Sequence, residues 1–69
     1  MTENKLLEAV LYKCEAERKE ALAILDVYFT RPVGIGEHPD LITEINKYTE
    51  QLASAEDKLE SQKRNFQDK

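Results

Sequence analysis

Two stretches of the chain place apolar residues at alternating steps of four and three. In the second, Leu41, Ile45, Tyr48, Leu52, Ala55, Leu59, Gln62 and Phe66 keep the rule unbroken, and only Gln62 is neither apolar nor aromatic. In the first, Leu7, Leu11, Cys14, Arg18, Ala21, Leu25 and Tyr28 follow the same rule, with one cation, Arg18, on the line. Such spacing draws a stripe down the side of a helix that faces another helix along a left-handed supercoil. Neither stretch alternates with a period of two, so strands are not expected. Both are rich in Leu, Glu, Lys, Ala and Gln, which are strong helix formers.

Pro32, Gly34, Gly36 and Pro39 fall together, and the chain has no other proline or glycine. The pattern therefore predicts helices over about 4–30 and 38–67, joined by a loop over 31–38, in one helical-hairpin domain spanning 1–69. Arg31 precedes Pro32 and is pushed out of helical geometry, which ends the first helix at residue 30. Pro39 suits the first turn of the second helix, His38 then stands at the N-cap, and Asp40 and Glu44 put negative charge near the positive end of the helix dipole. So short a connection makes the helices antiparallel neighbours. Matching them about the loop brings Leu25 near Ile45, Ala21 near Tyr48 and Leu52, Leu11 near Leu59, and Leu7 near Phe66. Val33 and Ile35 are expected to fold back over Tyr28, Phe29, Leu41 and Ile42, with Gly34 and Gly36 supplying positive φ values. The fold class is all-α, an antiparallel two-helix hairpin.

The apolar stripe is too wide for one seam. Leu6, Val10, Ile24, Phe29, Ile42 and Ala53 do not all fit between two helices, and stripes of that width occur in four-helix bundles. A twofold dimer of hairpins is the simplest arrangement, since most soluble homo-oligomers are closed and symmetric. Size argues the same way, because a chain of 8.0 kDa buries too small a share of its surface to be comfortable alone. A homo-oligomer, first of all a dimer, or a host or viral protein carrying one or two helices, would cover the excess. The expected core and interface residues are Leu7, Leu11, Leu25, Tyr28, Leu41, Ile45, Tyr48, Leu52, Leu59 and Phe66.

Composition removes several classes of function. Fourteen acids against ten Lys and Arg give a net charge of -4, a poor basis for gripping phosphate backbones, so direct nucleic-acid binding is not expected. No apolar run approaches the ~20 residues of a membrane span, and no secretory signal is recognisable. The single cysteine cannot form an internal disulfide and fits a reducing, cytoplasmic setting.

The loop holds most of the candidate chemistry: Arg31, Gly34, Gly36 and His38, with Glu37 and Asp40 beside them. Glycine N–H groups and a helix start can hold an anion, yet the third glycine and preceding strand of a dinucleotide site are missing, as are the Lys and Ser/Thr of a P-loop. A hairpin turn with solvated polar residues accounts for the same sequence. His38, Glu37 and Asp40 lack the helical spacing of a zinc protease. Cys14 sits on the seam as a small hydrophobe, a rod's length from the only histidine. Glu15, Glu17 and Glu20 read as a solvated face, and Tyr12, off the stripe, is a candidate contact. No catalytic, cofactor or metal residues are therefore assigned. The chain reads as a non-enzymatic, self-associating interaction module. The alternative is an acidic decoy of a nucleic-acid-binding protein, with Glu44, Glu50, Asp57 and Glu60 imitating phosphate spacing.

The loop and second helix, Pro32-Val33-Gly34-Ile35-Gly36-Glu37-His38-Pro39-Asp40-Leu41 followed by Ala55-Glu56-Asp57-Lys58-Leu59, resemble short helical proteins of T-even-like tailed bacteriophages, including cyanophages. That resemblance covers about half the chain. It implies a virus-encoded accessory protein made in the host bacterial cytoplasm, and it carries over no catalytic or binding residue.

Overall fold

The computed structural model describes residues 4–31 and 40–67, and these are all-helical, with no strand among them. Helix α1 spans Lys5–Thr30 and α2 spans Leu41–Gln62, and a π-helical turn, Lys63–Gln67, continues α2. The two helices pack against each other in a molecule of 55 × 15 × 14 Å. The expected hairpin loop over 31–38 falls almost wholly outside the described residues, as does the expected placement of Val33 and Ile35.

Each helix end has a local cause. Asn4 caps α1 from extended backbone, and its side-chain Oδ1 accepts the Leu7 N–H at 2.9 Å, supplying a partner to one of the first-turn donors. At the other end Arg31 leaves helical geometry at φ -133°, ψ 71°, while its N–H still donates to the Val27 carbonyl at 2.8 Å. The stop before Pro32 thus falls at Thr30.

The start of α2 differs from the expectation of residue 38. The helix begins at Leu41, with Asp40 rather than His38 at the N-cap. The Asp40 carbonyl accepts the Glu44 N–H at 2.9 Å, the first turn of the ladder. Asp40 makes no side-chain capping bond. Its negative charge, with Glu44 in the first turn, still lies at the positive end of the helix dipole.

The end of α2 also departs from a plain α-helix to residue 67. From Lys63 the chain winds in the wider π pattern. Asn65 bears on this change: its side-chain amide donates to the Ser61 carbonyl at 2.8 Å. That carbonyl is the acceptor the Asn65 backbone N–H takes in an α-turn, so side chain and ladder compete for one group.

The core is a narrow strip. Among the described residues, Cys14, Ala21 and Leu25 of α1 and Ala55 and Leu59 of α2 are buried, and Ala21 is fully covered. Small side chains at the centre let the two backbones approach closely, with larger ones filling the space on either side. Leu7, Leu11, Arg18, Tyr28, Leu41, Ile45, Tyr48, Leu52 and Gln62, the other positions on the four–three lines, are half-buried as far as Gln62. Phe66, the next on the line, is 62% exposed. A π turn advances each residue through a smaller angle than an α-turn, so the π turn rotates Phe66 off the strip.

Candidate interaction surface

Polar and charged side chains fall into two groups, one on each side of the core strip. On one side Gln51 of α2 reaches across to α1. Its Nε2 donates to the Glu17 backbone carbonyl and to the Glu20 carboxylate, each at 2.9 Å. Glu17 also pairs with Lys13 at 3.4 Å, one helical turn away. Val10 and Ile24 stand seven residues before and after Glu17, hence on the same side of α1. This face is polar at its middle.

On the other side lies a charged group. Arg18 donates from Nε to the Glu15 carboxylate, so the seam cation satisfies its charge on its own helix while its stem stays half-buried. That hydrogen bond holds the Glu15 carboxyl below its ordinary value of 4.5 against the opposing effect of burial, aided by the positive charges of Arg18, Lys19 and Lys63. The same bond raises the Arg18 guanidinium, with Glu56 adding to the effect. Lys63 of the π turn and Glu56 of α2 thus act electrostatically on Glu15 and Arg18 of α1.

Heptad spacing extends that second face along the molecule. Leu22 and Phe29 follow Glu15 at steps of seven, and Thr49 and Ile42 precede Lys63 and Glu56 at the same step. Leu22, Phe29 and Ile42 are all exposed large hydrophobic residues, and Thr49 is exposed beside them. One half of the face is apolar and the other is charged. Leu6, Val10, Tyr12 and Val27 are further exposed hydrophobic residues of α1 that lie off this face.

The remaining candidates carry little chemistry. Cys14 is buried and free. Arg31 is an exposed C-cap residue, while Gly34, Gly36 and His38 lie outside the described residues. Among the described residues no group of three or more His, Cys, Asp or Glu could hold a metal ion. No described helix is long and apolar enough to cross a membrane. An open hollow of about 410 Å³ lies along the π turn, lined by Glu56, Leu59, Glu60, Lys63 and Arg64. Its charges balance, and Arg64 is already paired with Glu60 at 3.3 Å. Tyr48 has the Lys47 ammonium 5.2 Å from its ring centroid, a contact of small value at an open site.

Sequence reasoning missed Asn4 and Gln51. An Asn before an apolar helical run is a recognised start signal. Gln51 carries no such signal, since its partners are set by the register of two segments far apart in the chain. Comparison with family models, with curated proteins and with solved structures gives no match.

Proposed function

We propose that this chain is an antiparallel helical hairpin that self-associates, first of all as a dimer forming a four-helix bundle, and works as a non-enzymatic protein–protein interaction module. The antiparallel arrangement is supported by the interactions of Glu17 and Glu20 with Gln51, of Arg18 with Glu56 and of Glu15 with Lys63, whose residue numbers fall along α1 as they rise along α2 and into the π turn. The short connection between Thr30 and Leu41 supports it independently.

Self-association rests on one observation: Leu6, Phe29, Ile42 and Phe66 are each more than three-fifths exposed, while five of the described residues are buried. Exposed apolar area of this kind marks interaction sites. The resemblance of the loop and second helix to short phage proteins supports a virus-encoded accessory role in a bacterial cytoplasm, with a host or viral protein as a further partner.

Light scattering across protein concentration, with helicity followed on the same samples, tests this. The expected result is a highly helical species of about twice the 8.0 kDa chain mass. A monomer at every concentration overturns self-association.

A further inference from the structure

We draw no further inference here: the strongest candidate, the exposed apolar surface where α1 ends and α2 begins, carried by Phe29 and Ile42, supports no proposal because nothing in the structure shows what covers it.

Discussion

The side-chain amide of Gln51 on α2 donates to the backbone carbonyl of Glu17 on α1 at 2.9 Å. The same nitrogen also meets the Glu20 carboxylate. This is a polar tie between the two helices, set beside the apolar strip in which Ala21 and Ala55 are buried.

Gln51→Ala is therefore expected to lower stability by about 1 kcal/mol. In a chain of this size that corresponds to a fall of roughly 4–8 °C in thermal midpoint. Glu17 keeps its helical hydrogen bond through the same carbonyl, so no buried acceptor is orphaned and the loss stays modest. An unchanged midpoint would show that the bond contributes nothing in solution.

Ala21 is 0% exposed and Ala55 1%, which leaves no room for a larger side chain at either site. Ala21→Leu is expected to cost about 1–3 kcal/mol through forced rotamers and helix separation. Ala16→Leu, at an exposed position of the same helix, is expected to change stability by less than about 0.5 kcal/mol. Chemical denaturation of the two variants checks the contrast, and equal effects would show that Ala21 is not at a close approach.

How much of this was legible in the sequence depends on how local each cause is. The four–three spacing of Leu7 through Tyr28 and Leu41 through Gln62 coincides with the sides of the helices that are least exposed, because which side of a helix is apolar is a property of the helix itself. The stop before Pro32 is equally local. Asp40 in place of His38 at the start of α2 reflects a choice of backbone angles that one proline and one glycine cluster do not specify. Gln51 was hidden because its acceptors lie more than thirty residues away, and the two-sided distribution of charge became visible only once the helices were side by side.

The Glu15–Arg18 hydrogen bond predicts a pH dependence with a definite sign. The Glu15 carboxyl titrates below 4.5 in the folded chain, so its contribution to stability is present above that value and is lost as pH falls through the lower, folded value. Both groups are open to solvent, so the effect on overall stability is small. The cleaner readout is the Glu15 side-chain chemical shift followed from pH 6 to pH 2 by nuclear magnetic resonance. Arg18→Gln removes the dominant cause and is expected to raise the Glu15 midpoint, and a midpoint unmoved by that substitution would show that Arg18 is not what holds it down.

Leu59 and Phe66 stand seven residues apart on the same four–three line, yet Leu59 is 8% exposed and Phe66 62%. A continuous α-helix would present both to α1, and the π turn over Lys63–Gln67 is what separates them. Leu59→Ala is expected to cost about 2–5 kcal/mol, a cavity in a narrow core that can abolish the folded state altogether. Phe66→Ala is expected to stay within about 0.5 kcal/mol. Asn65→Ala adds a further arm, because it removes the side-chain amide that competes for the Ser61 carbonyl. If that competition maintains the π turn, the Asn65→Ala chain relaxes toward an α-helix, Phe66 swings back onto the line, and Phe66→Ala becomes destabilising in that background alone. Stability curves for the two single variants and the double variant measure the coupling directly. Strict additivity would show that Asn65 does not hold the turn.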